Sequence, residues 1–176
     1  MERILIIGCS GSGKTTLARA LGEKLHLPVI HLDQLWWKEG WRNVTREEFD
    51  SRLAMVLNME QWIIDGNFSR TMPARLEKCD TVIYLDFGRW ECLLGLFQRL
   101  AGSYGRVRPD MPPGCPERFD PAFLKWIWNY NTRNRPRNYA WLAQARHAKT
   151  IVLKNRRQIQ AFLNGIYPTA EEQDQN

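Results

Sequence analysis

Residues 8–15, Gly8-Cys9-Ser10-Gly11-Ser12-Gly13-Lys14-Thr15, constrain this chain more than any other stretch. They fit the spacing G-x-x-x-x-G-K-[ST], and what flanks them matters as much as the match. Before them stands Ile4-Leu5-Ile6-Ile7, an apolar, mostly β-branched run expected of a strand buried on both faces of a parallel sheet. After them Leu17, Leu21 and Leu25 recur at helical spacing, which predicts an amphipathic helix from Lys14 to Leu25. Strand, glycine-rich loop and helix in that order make a phosphate cradle. The glycines let successive backbone N–H groups turn inward toward phosphate oxygens, and the helix adds the positive end of its dipole. Lys14 is placed to reach β- and γ-phosphates, and the Thr15 hydroxyl to ligate Mg²⁺. The cradle is expected to comprise Gly8, Cys9, Ser10, Gly11, Ser12, Gly13, Lys14, Thr15 and Thr16, holding ATP with Mg²⁺.

A chain of 176 residues suits one domain, expected here over residues 1–167 with an acidic, flexible tail at 168–176. Its longest apolar runs, such as Cys92-Leu93-Leu94-Gly95-Leu96-Phe97, fall far short of the roughly 20 residues that cross a bilayer. No cleavable signal pattern opens the sequence, so the expectation is a cytoplasmic protein with no membrane partner. Four cysteines without a C-x-x-C pair and three dispersed histidines indicate free thiols and no zinc site or disulfide framework.

Further strands are read at Pro28–Asp33, Trp62–Gly66, Val82–Asp86 and Thr150–Leu153. Thr45 and Glu48 have capping-box spacing before a helix whose stripe is Phe49, Leu53, Val56 and Leu57. A helix from Arg89 to Ala101 is expected to bury Trp90, Leu93, Leu94, Phe97 and Leu100. Residues 102–119, with three Gly and four Pro, read as a lid-like loop. Asp120-Pro121 then caps a helix running to about Arg133, which Pro136 interrupts before a second helical stretch. Asn155 caps a last helix ending at Gly165. Alternating strands and helices give a three-layer α/β fold with a five-stranded, mostly parallel sheet. Ligands of such sheets gather at the carboxyl ends of strands, where Gly8, Asp33, Asp65 and Asp86 are expected to fall.

Two acids at strand ends, Asp65 and Asp86, can support the metal. Asp65 is preferred because Asp65-Gly66-Asn67 puts a polar turn directly after its strand. Asp33, followed by Trp36, Trp37 and Trp41, is a candidate base for a substrate hydroxyl or a ribose ligand. Charge is unevenly spread: residues 1–96 carry 12 basic and 13 acidic side chains, residues 97–157 carry 13 basic and 3 acidic. A segment of net +10 expects an anionic partner, polyphosphate or nucleic acid. Within it Arg133, Arg135 and Arg137 are candidates to neutralise charge in phosphoryl transfer, and Arg106 and Arg108 are phosphate-seeking residues of the lid.

The stretches GCSGSGKTTLA, HLDQLWW, WIIDGNFSRT, TVIYLDFGRW, RPDMPPGCPERFD, FLKWIWNYNTRNRP and IVLKNRR resemble, in order, the bacterial adenylate-kinase-like proteins called DNA topology modulation (FlaR-like) proteins. The resemblance covers roughly residues 1–164. It implies a P-loop NTPase fold like that of nucleoside monophosphate kinases, ATP and Mg²⁺ as cofactors, and transfer of the γ-phosphoryl group to a small acceptor. The family's name also implies DNA as a possible partner. Asp65-Gly66-Asn67-Phe68-Ser69-Arg70-Thr71 is similar to the acceptor motif of those kinases, one residue longer and without its proline, and gives Arg70 as a possible acceptor-phosphate ligand. Strand two ending in Asp33 is closer to kinases of hydroxyl-bearing metabolites. Two functions stand: a Mg·ATP-dependent kinase of an unidentified small acceptor, and a DNA-binding modulator whose ATP site acts as a switch or ATPase.

Overall fold

The computed structural model describes residues 1–166; the expected tail at 168–176 lies outside the described residues. Five strands form one parallel sheet in the order β2-β5-β1-β6-β7, with β1 (Arg3–Gly8) at its centre. Its neighbours are β5 (Trp62–Asp65) and β6 (Thr81–Leu85), and β2 (Val29–His31) and β7 (Lys149–Leu153) form the edges. The order follows from what each strand buries. Ile4 and Ile6 point to one face and Leu5 and Ile7 to the other, and all four are fully buried. Side chains alternate along a strand, so only a strand covered on both faces reads as a continuous apolar run.

One face is covered by α1 (Lys14–Leu25), α5 (Arg89–Ser103) and α7 (Arg156–Asn164). The other is covered by α3 (Arg46–Leu57) and α4 (Met72–Lys78). The helix α6 (Pro121–Gln144) serves both, with Ile127 and Tyr130 in the first core and Leu142 in the second. A short helix α2 (Leu32–Trp36) follows β2 and leads into a two-stranded antiparallel hairpin, β3 (Trp37–Lys38) and β4 (Arg42–Asn43).

Several sequence expectations change. Strand two stops at His31, and Asp33 lies in the first turn of α2, because fully buried Leu32 turns the chain inward there. Thr45 does cap α3, its hydroxyl accepting from the Glu48 N–H at 3.1 Å, but the Glu48 carboxylate pairs with Lys38 and Arg52 rather than closing a capping box. The stretch between β5 and β6, for which no helix was expected, contains α4, with Pro73 in its first turn.

Pro136 does not interrupt α6, which runs unbroken from Pro121 to Gln144. Arg135 and Tyr139, on either side of the proline, both bind Asp86, at 2.7 and 2.9 Å. Asn138 donates to the Tyr130 hydroxyl at 3.1 Å, a bond that spans the proline along the helix. These ties hold the helical path where one backbone hydrogen bond is missing.

The buried face of α5 is rotated from the expected one. Cys92, Leu93, Leu96 and Leu100 face the core, whereas Trp90, Leu94 and Phe97 are exposed. The cause is the meeting of α5 with the glycine-rich loop. A Cβ on Gly11, at φ 80°, would lie 2.1 Å from the Cys92 carbonyl oxygen. One on Gly95 would lie 2.0 Å from the carbonyl oxygen of Gly11. Helix and loop touch backbone to backbone, and that contact fixes which side of α5 faces inward. Gly95→Ala should therefore push α5 off the loop. We expect a loss of roughly 1–3 kcal/mol in chemical denaturation together with weakened nucleotide binding. Wild-type stability and binding in that variant would contradict the close contact.

Candidate functional site

The loop after β1 opens onto a cleft of about 840 Å³ lined by residues of α1, α2, α5, α6 and the turn after β5. The loop is held from within and from the neighbouring strand end. The Cys9 carbonyl accepts from the Ser12 hydroxyl at 2.7 Å and from Lys14 Nζ at 3.0 Å. The Gly8 N–H donates to Asn67 Oδ1 at 3.2 Å, and Asn67 Nδ2 returns a bond to the Gly8 carbonyl at 2.8 Å. Gly13, the residue before α1, supplies no side-chain cap, and the first turn has no acid, so the helix N-terminus is left with its positive end toward the cleft. The Cys9 thiol packs against Cys92, and this hydrogen bond together with burial raises its pKa, so it stays a neutral thiol.

Asp65, at the carboxyl end of β5, is buried beside the loop. Its Oδ2 accepts from the Thr15 hydroxyl at 2.7 Å and lies 3.2 Å from His31 Nδ1. Its Oδ1 is buried with no hydrogen-bond partner. A buried carboxylate oxygen without a partner is costly unless a ligand or ion completes it. Asp86 differs. Its Oδ1 accepts from Arg135 Nε and the Tyr84 hydroxyl, its Oδ2 accepts from the Tyr139 hydroxyl, and it does not line the cleft. Its oxygens are committed to anchoring α6.

Asp33 faces the cleft from α2 and is exposed to it. Surrounding protein strips its carboxylate of hydration, and this, reinforced by the nearby Asp65 charge, raises its pKa above the ordinary aspartate range, with Lys14 and Arg108 opposing. The aromatic walls are not the expected ones. Trp36 packs on Phe49 and Phe68, and Trp37 on Trp41, so none of these three tryptophans lines the cleft. Phe68, Phe123 and Trp126 line it instead.

The expected arginines also redistribute. Arg133, Arg135 and Arg137 do not line the cleft: all three are exposed on α6, where Arg135 pairs with Asp86 and Arg137 lies over Trp141. Arg70 is outside the cleft too, in a two-pronged pair with Asp50 at 2.6 and 2.8 Å, and Arg106 is exposed elsewhere. Of the expected lid arginines only Arg108 lines the cleft. It is joined by Arg99 of α5, whose Nη1 lies 3.2 Å from the Ser10 hydroxyl in the loop, and by Arg19 and Arg156. Nothing in the sequence marks Arg99 as a cleft residue, since it sits on a helix with an apolar rhythm and no motif around it.

Residues 104–119 of the expected lid are docked, and the first two residues of that loop, 102 and 103, extend α5. The hairpin supports the rest: Gly40 N–H donates to the Gly114 carbonyl at 3.0 Å and the Trp41 indole to the Pro116 carbonyl at 3.2 Å. Gln34 reaches the Pro109 carbonyl at 2.9 Å. The turn after β5 is fixed from beneath by Arg75, fully buried and, among the described residues, without a carboxylate partner. Its guanidinium donates to the carbonyls of Gly66, Asn67, Phe68 and Thr71, and burial pushes its pKa down to about 9. It thereby holds Phe68 at φ 28°, a conformation rare for a residue with a side chain.

Comparison with known proteins agrees with this architecture. A family model described as an AAA domain matches residues 4–89, the part from β1 through β6. A shikimate kinase of Bacteroides fragilis is 43% identical over 53 residues, 30% of this chain, and the match spans 28% of that protein's length. Among solved structures, a shikimate kinase from Bacteroides thetaiotaomicron superposes with a TM-score of 0.53 at 19% identity, over 93% of this chain and 94% of the other. A gluconokinase from Sinorhizobium meliloti gives 0.55 at 16% identity, over 93% and 91%. The chain has the fold of P-loop kinases: three layers, a five-stranded parallel sheet and a phosphate loop after the central strand. Among the described residues, no helix is long and apolar enough to cross a membrane.

Proposed function

We propose that the protein is a small-molecule kinase that moves the γ-phosphoryl group of ATP to a hydroxyl of an acceptor bound beside Asp33. The observation that carries this reading is the juxtaposition, in one cleft, of a phosphate loop with Lys14 and an acid, Asp33, that makes no ion pair among the described residues. A pure nucleotide switch has no need of such an acid. The likeness to sugar and shikimate kinases supports the same class of reaction.

In this reading the β- and γ-phosphates lie along Gly8, Cys9, Ser10, Gly11, Ser12 and Gly13, with Lys14 leaving the Cys9 carbonyl to meet them and Thr15 and Thr16 at the helix start. Thr15 and Asp65, with its partnerless Oδ1, fit a Mg²⁺ ion held jointly with the nucleotide. The ion supplies neutralisation of phosphate charge when bound. Asp33 takes the acceptor's hydroxyl proton as its oxygen bonds to the γ-phosphorus; the bond to the β-γ bridging oxygen breaks, and ADP leaves with that electron pair. Lys14 takes the part first expected of Arg133, Arg135 and Arg137, which is to donate hydrogen bonds to the oxygens that gain charge, while Arg99, next to Ser10, and Arg108 stay paired at the cleft wall.

The experiment that tests this is a coupled ADP-release screen over nucleosides, nucleotides and hydroxyl metabolites. Release that depends on an acceptor supports the reading; release equal with and without every compound would leave an ATPase. The metal assignment makes a second expectation. Asp65→Asn should raise the Mg²⁺ concentration for half-maximal activity, whereas Asp86→Asn should leave it nearly unchanged and cost on the order of 2 kcal/mol of stability through its orphaned partners. Titrating Mg²⁺ and denaturant on both variants checks this, and the reverse assignment of effects would contradict it.

A second reading, in keeping with the resemblance to DNA topology modulation proteins, is DNA binding. One observation favours it: Arg133 and Arg137 are exposed outside the cleft, in the segment of net +10. Duplex affinity measured across salt should then fall steeply on a log–log plot. A flat plot removes this reading.

A further inference from the structure

Resting on the kinase reading, we infer that the acceptor is an uncharged hydroxyl compound rather than a carboxylate or a phosphate ester, and that Asp110 and Glu117 set this preference. Much of the positive charge in the cleft is already spent on neighbouring carboxylates. At the end of the cleft beyond Ser10, the basic side chains that line it are Arg99 and Arg108. Both are largely shielded, and both are matched. Glu117 lies beneath them with its carboxylate 3.1 Å from Arg99 Nε and 2.8 Å from Arg108 Nε. Asp110 takes the other edge of Arg108, at 2.7 Å from Nη1. Glu117 and Asp110 are themselves only 6% and 7% exposed.

Two guanidinium groups and two carboxylates make a neutral cluster, to which the facing Asp33, itself flanked by Lys14 and Asp65, adds one negative charge. An anionic acceptor would meet that charge. To win a guanidinium for itself it would also have to displace Asp110 or Glu117, leaving a buried carboxylate unpaired, which is among the costliest events in a protein interior. Three further cations line the cleft. Lys14 is on the Cys9 carbonyl, Arg156 lies 3.3 Å from the Gly11 carbonyl, and Arg19 projects from α1 beside Thr16 and Glu23. The cleft that holds Asp33 is also lined by Phe68, Phe123 and Trp126, whose apolar surfaces suit the C–H groups of a neutral polyol or nucleoside.

The test uses the purified full chain with Mg·ATP and matched pairs that differ in charge: D-glucitol with D-gluconate, D-ribose with ribose 5-phosphate, adenosine with AMP. Product is measured directly, with wild type and with Asp110→Asn, a near-isosteric change that frees Arg108. For the pairs that react, kcat/KM for the uncharged member should exceed that for the anion by roughly tenfold or more, and Asp110→Asn should shrink the ratio by a similar factor. A higher kcat/KM for the anion would overturn this inference and leave the kinase reading standing. A ratio unmoved by Asp110→Asn, in a variant that still turns over, would overturn the assignment to the neutralised cluster. No product from any pair while ATP is bound would count against the kinase reading itself, and this inference would fall with it.

Discussion

Lys14→Ala should leave the fold intact and lower turnover at least about 100-fold, the scale seen when one preorganised charge-stabilising donor is removed. The expectation of an intact fold comes from what Lys14 does without nucleotide. Its ammonium makes one hydrogen bond, to the Cys9 carbonyl, and that carbonyl keeps the Ser12 hydroxyl when Lys14 is gone. The expectation of lost function comes from the same geometry. In a cleft where Glu117 and Asp110 hold Arg99 and Arg108 and the Gly11 carbonyl holds Arg156, Lys14 is the cation of the loop itself, placed to move onto the phosphates. Calorimetric titration with Mg·ATP, turnover and a thermal melt on one preparation check this. A melt like wild type with unchanged affinity and turnover would remove the phosphate-loop assignment.

Asp33→Asn should act with opposite signs on stability and activity. Loss of hydration, then the Asp65 charge, raises the pKa of Asp33 in the folded protein. A carboxylate whose folded pKa is raised favours the fold only when protonated, so that contribution is present at low pH and lost as pH rises through the raised value. At neutral pH the ionised group works against the fold. Asparagine removes that charge, and its melting temperature should exceed wild type at pH 7, with the gap closing as pH falls below the raised pKa. Turnover should fall by about 10²–10⁴-fold, because the group that accepts the hydroxyl proton is gone. The wild-type pH profile should show an acid limb above the ordinary aspartate range, absent from the residual activity of Asp33→Asn. A variant less stable than wild type at pH 7, with normal turnover, would make Asp33 a structural acid.

The sequence reading reached the parts of this molecule whose chemistry is local. The glycine-rich loop, the strand before it and the helix from Lys14 to Leu25 are written in consecutive residues, and the structure has them at those positions. The same holds for the caps of α6 and α7, where Asp120 accepts from Ala122 N–H and Asn155 from Gln158 N–H. What the reading missed depends on contacts between distant segments. The face of α5 is set by Gly95 meeting Gly11, 84 positions earlier in the numbering, and apolar periodicity alone favoured Trp90 and Phe97. Arg75 looks like a surface residue of a short helix until its four carbonyl partners are seen. The arginines were the hardest case. A basic run announces itself in sequence, but which guanidinium reaches the cleft depends on pairing: Asp86 holds Arg135 outside it, while Glu117 fixes Arg99 and Arg108 at it. Asp33 lies on α2 rather than at a strand end, because a buried Leu32 ends the strand two residues before the expected position.

In the proposed reaction the γ-phosphoryl group passes to a hydroxyl acceptor rather than to water. Phosphorus NMR of the protein with Mg·ATP and a pool of uncharged hydroxyl compounds reads that fate directly. The account predicts a phosphate monoester signal growing in step with ADP, abolished in Lys14→Ala and reduced to a trace in Asp33→Asn. Inorganic phosphate as the sole product beside ADP, at a rate indifferent to the pool and to Asp33→Asn, would contradict it.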